Sequence, residues 1–208
     1  MTMLKFLEWT LSSISMGRKN MIEGKKVIIR PIEAGDEKYL YKWWNDGKMM
    51  AHSTNCFGTL QSMESVRASI EKDIYNTDMF PDTKRFIICR KNDMEPIGEM
   101  NYCGLDRRNQ KCEFGIKICE VSQQEKGYGS DALIHFIDFI FRFLNLNKIE
   151  LTTMQDNKRA QHVYEKLGFK RIGIIRQGCF DSRTGKFSDD IYMDMLKDEW
   201  MVKRGELL

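Results

Sequence analysis

Gln124-Glu125-Lys126-Gly127-Tyr128-Gly129-Ser130 (QEKGYGS) stands between a short apolar, strand-like segment, Phe114 to Cys119, and a helix-like run from Asp131 to Phe143. Two glycines one residue apart at the opening of a helix let the main chain come close to a ligand and point several N–H groups at it, which suits a phosphate. The stretch therefore predicts a phosphate-bearing ligand. Two other readings stay open on the spacing alone. Gly127-x-Gly129-x-x-Ala132 satisfies the dinucleotide fingerprint, and a glycine-containing surface turn has the same composition. A dinucleotide fold expects these glycines directly after its first strand, whereas here more than half of the chain precedes them.

The chain of 208 residues is long enough for one domain with a real core. Lys plus Arg (33) nearly balances Asp plus Glu (30), so the net charge of +3 makes no case for nucleic acid or a membrane surface as partner. Cys56, Cys89, Cys103, Cys112, Cys119 and Cys179 show no C-x-x-C spacing. Several sit inside apolar runs and read as small buried hydrophobes of a cytoplasmic, reducing compartment. His52, His135 and His162 form no ligand pattern, so no metal is expected.

Residues 1–22 read as an extension to a single domain at 23–208. Leu4, Leu7, Leu11 and Ile14 recur on one helical face, as a docking or dimerisation helix would require. A poorly ordered extension is the alternative. Glu8 breaks the apolar run, which fits neither a secretory signal nor a bilayer span.

Within the domain, Lys26 to Arg30 predicts a strand, Ala34 to Asn45 and Ser62 to Ile74 two helices, and Arg85–Arg90, Pro96–Cys103 and Lys111–Cys119 an antiparallel meander. Gly115 inside the third of these predicts a bulge or a close approach. After the helix that follows the glycine turn come a strand (Lys148 to Met154), a helix (Asn157 to Leu167) closed by Gly168, and two strands, Lys170 to Ile175 and Ile191 to Leu196, joined by a polar stretch. The order β α α β β β α β α β β predicts an α+β fold around one largely antiparallel sheet flanked by helices.

That order, with Gln124-x-x-Gly127-x-Gly129 after the fourth strand, resembles the GNAT superfamily of acetyl-CoA-dependent N-acetyltransferases. NKRAQHVYEKLGF, Asn157 to Phe169, is similar to a second signature of that superfamily. The opening IIRPIE and the closing DMLKDEW resemble its ribosomal-protein and polyamine branch, and the likeness covers residues 25–200. It implies that acetyl-CoA is the co-substrate, with its pyrophosphate on the main chain of Gln124, Glu125, Lys126, Gly127, Tyr128, Gly129 and Ser130. Its pantetheine arm would run along Ile116, Lys117 and Ile118 where two strands splay apart, with Asn157 and Ala160 on the other side.

Acetyl transfer to an amine poses two proton problems. An alkyl ammonium, of pKa about 10.4, must lose a proton before it attacks, and a thiolate, of pKa about 8.5, leaves more readily if protonated. The resemblance puts the Tyr164 hydroxyl beside the sulfur as the acid. Glu113 is the preferred base, on strand alternation up to Gly115, with Glu99 and Asp190 as alternatives. For the acceptor, a small amine or polyamine would draw on carboxylates such as Glu33, Asp36 and Asp189, and a protein N-terminal amine on an open groove. A binding module that holds acyl-CoA without turnover is the rival expectation.

Overall fold

The β-branched run before Pro31 forms β2 (Val27–Pro31), with a two-residue strand β1 (Ile22–Glu23) folded back on it. The computed structural model describes residues 21–51 and 56–208. The helical face expected of Leu4, Leu7, Leu11 and Ile14, and His52, lie outside the described residues. Three helices follow: α1 (Glu37–Trp44), the single turn α2 (Gly47–Met50) and α3 (Met63–Ile74). The Ser62 hydroxyl caps α3 by accepting from the Ser65 N–H at 3.1 Å, although no carboxylate completes a capping box.

The meander is β3 (Lys84–Arg90), β4 (Pro96–Asp106) and β5 (Lys111–Ile118). Then come α4 (Tyr128–Arg142), β6 (Lys148–Met154), α5 (Lys158–Leu167), β7 (Lys170–Asp181), β8 (Lys186–Leu196) and α6 (Lys197–Leu207). Together the strands form one sheet in the order β1-β2-β3-β4-β5-β6-β8-β7. Every pairing is antiparallel except β5 with β6. The expected α+β class is the one observed.

Two cores clamp the sheet. On one face α4 buries Ala132, Leu133, Phe136, Ile137, Ile140 and Phe141 against strand residues such as Val27, Ile88 and Ile149. On the other, Leu40, Trp43 and Trp44 of α1 and Val66 and Ile70 of α3 cover Ile87 and Cys89. Each such side chain contributes roughly 1.5–3 kcal/mol when fully buried.

Three local readings are corrected. Gly115 sits in regular register opposite Asn101, and the β4–β5 irregularity falls between Cys103 and Asp106 instead. The glycine makes room for a side chain, because a Cβ there would stand 2.7 Å from Asn101 Oδ1. The last two strands extend into a long hairpin, with only residues 182–185 between them. Its register jumps from Ile175–Asp190 to Cys179–Ser188, with Gln177 at φ +51° and its N–H on Asp189 Oδ1 at 2.8 Å. β7 is largely exposed up to Gly178 and so carries no apolar alternation to read. DMLKDEW spans the end of β8 and the start of α6, whose Trp200 is fully buried. The Trp200 indole N–H and Arg204 Nε both donate to Asp138 Oδ1 on α4, at 3.2 and 2.6 Å.

Candidate active site

β5 and β6 run parallel for only three residue pairs, Lys111–Lys148, Cys112–Ile149 and Glu113–Glu150. Beyond Glu113 the strands part, because β5 remains bonded to β4 through Ile118 while β6 remains bonded to β8 through Met154. The second half of β5 thus faces a wedge with no strand on that side. At its root, Glu150 accepts from Lys111 Nζ at 2.9 Å and pairs with Lys148 Nζ at 2.8 Å. Burial pushes the Glu150 pKa up, and hydrogen bonds from Lys148, Lys111 and Tyr192 more than reverse this, lowering it to about 2.

A cavity of about 900 Å³ opens from the wedge on the glycine-turn side. Ile116, Lys117, Ile118, Gln124, Glu125, Gly127, Gly129 and Ser130 line it, facing Asn157, Ala160 and Tyr164 of the α5 segment. Lys126 and Tyr128 do not; Tyr128 packs against the core and Lys126 offers its carbonyl to Lys26 Nζ at 2.9 Å. Gly127 is the residue before α4 and holds φ +84°, a left-handed conformation that glycine adopts without strain. The first N–H groups of the 15-residue α4 have no acceptor within their own helix, and the positive end of its dipole lies at the same place. Lys48, Lys158 and Arg159 add cationic side chains to the lining, against Glu125 and Asp156.

Side chains that the motif did not foretell hold this turn in place. The Gln124 amide donates to the Ile118 carbonyl at 2.9 Å, tying the turn to the end of β5. Buried Asp131, in the first turn of α4, accepts from the main-chain N–H groups of Lys25, Lys26 and Val27 at 3.1, 2.7 and 3.1 Å. An acidic residue in a first helical turn is the signal that could have found it. Asn157 is the N-cap of α5, its Oδ1 accepting from the Ala160 N–H at 3.2 Å.

A second cavity, of about 500 Å³, lies through the wedge on the α1–α3 face, and Ile116, Lys117, Asn157, Ala160 and Tyr164 line both. Tyr164 stands at the junction, its ring edge-on to Phe114 and Phe169 at 5.8 Å each. Burial raises its hydroxyl pKa to about 12, so it stays protonated at neutral pH. The second cavity also contains Arg85, Glu99 and Asp190. Trp44 Nε1 donates to both oxygens of buried Glu99, at 2.9 and 3.0 Å, and Lys117 Nζ pairs with Oε1 at 2.9 Å. Asp190 forms no ion pair among the described residues; it lies near the Cys179 thiol, which donates to the Ser188 carbonyl at 3.7 Å and which burial and this carboxylate raise to about 11.

Glu113 is not brought to this site. Alternation puts it on the same face as Gly115 and Lys117, as expected, but it is exposed and lines neither cavity. Two other expected acceptor carboxylates are engaged elsewhere, Asp36 in a two-pronged pair with Arg30 and Asp189 with the Gln177 N–H. All six cysteines are free thiols. Among the described residues no His, Cys, Asp and Glu side chains cluster as a metal set, and no helix is long and apolar enough to cross a membrane.

The model of the acetyltransferase (GNAT) domain family matches residues 26–170. The spermidine N(1)-acetyltransferase of Escherichia coli K12 is 25% identical over 185 residues, 88% of this chain and 92% of its own. The putative ribosomal N-acetyltransferase YdaF of Bacillus subtilis is 29% identical over 136 residues, 62% of this chain and 72% of its own. Among solved structures, the spermidine N-acetyltransferase of Vibrio cholerae in complex with CoA and spermine superposes with a TM-score of 0.75 at 23% identity, covering 84% of this chain and 98% of that one. On the family match and the two signatures, the chain belongs to the GNAT acetyltransferases and is an enzyme of that N-acetyltransferase family.

Proposed function

We propose that the larger cavity holds acetyl-CoA and that its acetyl group passes through the wedge to a primary amine in the smaller cavity, by direct attack with both substrates bound. The observation that carries this reading is the wedge itself, lined from the glycine turn to Tyr164 and open to a cavity at either side. Gln124–Ser130 would receive the pyrophosphate on main-chain N–H groups, and the unpartnered side of Ile116–Ile118 would hydrogen-bond the pantetheine arm like an added strand, with Asn157 and Ala160 opposite.

Acetyl-CoA supplies an activated thioester; the proton traffic falls to the protein. The ammonium of the acceptor gives a proton to a carboxylate, directly or through water, and the Tyr164 hydroxyl gives its proton to the departing sulfur. Glu113 is too far toward solvent for the first role. Glu99 is inside, but Lys117 and Trp44 already compensate its charge. That leaves Asp190, which lines the smaller cavity and forms no ion pair among the described residues, as the proton acceptor.

Titration calorimetry on wild type and Gly127→Asp tests the donor site. Acetyl-CoA should bind in preference to NAD, and the substitution should weaken it at least about tenfold, through strain at positive φ and an added negative charge. Equal affinity in the two proteins, or a preference for NAD, would contradict the assignment.

A further inference from the structure

The smaller cavity has a charge balance that constrains its substrate. Among the described residues four charged side chains line it, Arg85, Lys117, Glu99 and Asp190. Lys117 and Glu99 neutralise each other at 2.9 Å, and Arg85, which stacks on the Trp44 ring at 5.2 Å, is paired with Asp73 at 2.6 Å. One carboxylate, Asp190, is left without a cationic partner among the described residues. The rest of the lining is mixed, with Phe114, Met154 and, at the exposed margin, Phe180 beside the uncharged polar side chains of Asn101, Thr152, Thr153 and Asn157.

Resting on the acetyltransfer reading above, we infer that the acceptor is a small monoamine, carrying a single positive charge, and not a polyamine. An ammonium entering the cavity loses hydration and recovers it against Asp190. A second or third ammonium would meet no unpaired carboxylate among the described residues, only ion pairs that are already neutral, and its lost hydration would go unrecovered. Lys117 is in this sense a specificity residue. By holding Glu99 in an ion pair it removes the second anionic anchor that a diamine would need. The uncharged polar side chains of the lining, Asn101, Thr152, Thr153 and Asn157, can hydrogen-bond a neutral remainder but cannot neutralise a further ammonium.

The test uses the full chain with acetyl-CoA and phenethylamine, hexylamine, 1,6-diaminohexane, spermidine or a tripeptide with a free α-amine, following released thiol. The expected result is that kcat/KM for phenethylamine or hexylamine exceeds that for the diamine and spermidine at least about tenfold. In Lys117→Gln, which frees the Glu99 carboxylate, the ratio of diamine to hexylamine kcat/KM should rise by about tenfold. Spermidine used as well as or better than the monoamines by wild type would overturn the inference while leaving acetyl transfer standing, as would the tripeptide as best substrate. An unchanged diamine ratio in a folded Lys117→Gln would remove Lys117 from the explanation and the inference with it. Absence of thiol release with every amine would overturn both this inference and the proposed reaction.

Discussion

Phe114 and Phe169 fix the ring of Tyr164 from two directions, so the phenol is positioned by packing and its hydroxyl can be removed without moving the ring. Tyr164→Phe should therefore lower kcat by about 10²-fold or more while acetyl-CoA affinity stays nearly unchanged, as measured by steady-state kinetics beside calorimetry. Turnover at the wild-type rate would remove Tyr164 from the acid role. Burial raises the hydroxyl to about 12, so the acid keeps its proton well above the pH at which an ordinary tyrosine, near about 10, would lose it. At this scale the sequence was readable where chemistry depends on local spacing. The glycine pair does open a helix, with Gly127 at positive φ directly before α4, whereas the capping of α5 by Asn157 was not foreseen. It was not readable where depth mattered. Period-two alternation gave the face of Glu113 correctly, but alternation does not say how far along a strand the solvent begins. Nor could it say that Lys117, expected to offer only its main chain, sends its side chain to Glu99.

The wedge between β5 and β6 depends on how its root is held. Glu150, gripped by Lys111 and Lys148, fastens the two strands where pairing ends. Its carboxyl is held at about 2 in the folded protein against 4.5 for an ordinary glutamate, so the folded state favours the ionised form. The stabilisation is therefore present above pH 4.5 and lost as pH falls toward 2. Glu150→Gln should cost about 1–2 kcal/mol at neutral pH, a modest figure because water reaches both lysines, and the gap to wild type should close in acid. Thermal melts at pH 7 and pH 3 would check this, and a gap independent of pH would contradict it. Away from the wedge, the three N–H groups gathered by Asp131 lock the start of β2 to the start of α4. The helices and the meander announced themselves through apolar periodicity and turn composition. The last two strands were legible only at Lys170–Ile175 and Ile191–Leu196; their extension into a long hairpin was not, because β7 is exposed and has no buried side to set a pattern, and α6 was hidden by its direct continuation from β8.

Seen whole, the molecule is one eight-stranded sheet clamped between two cores and opened at a single parallel joint, so that ligands can reach the joint from either face without crossing a packed interior. The fold class followed from element order, and much of the lining of the larger cavity from two short motifs. The smaller cavity followed only in part: Glu99 and Asp190 stood among the candidate carboxylates, but β3, β4, β5 and β8 each supply one of its charged side chains, and only their register in the sheet brings Arg85, Glu99, Lys117 and Asp190 together. The claim that the joint is a site of acetyl transfer is tested most directly by incubating the protein with acetyl-CoA and phenethylamine and measuring free CoA thiol and N-acetylphenethylamine together. The two products should appear in equal amounts, dependent on the protein and reduced strongly in Tyr164→Phe. Tight acetyl-CoA binding with no acetylated amine from phenethylamine or from any of the other amines would contradict the account and mark the chain as a binding module.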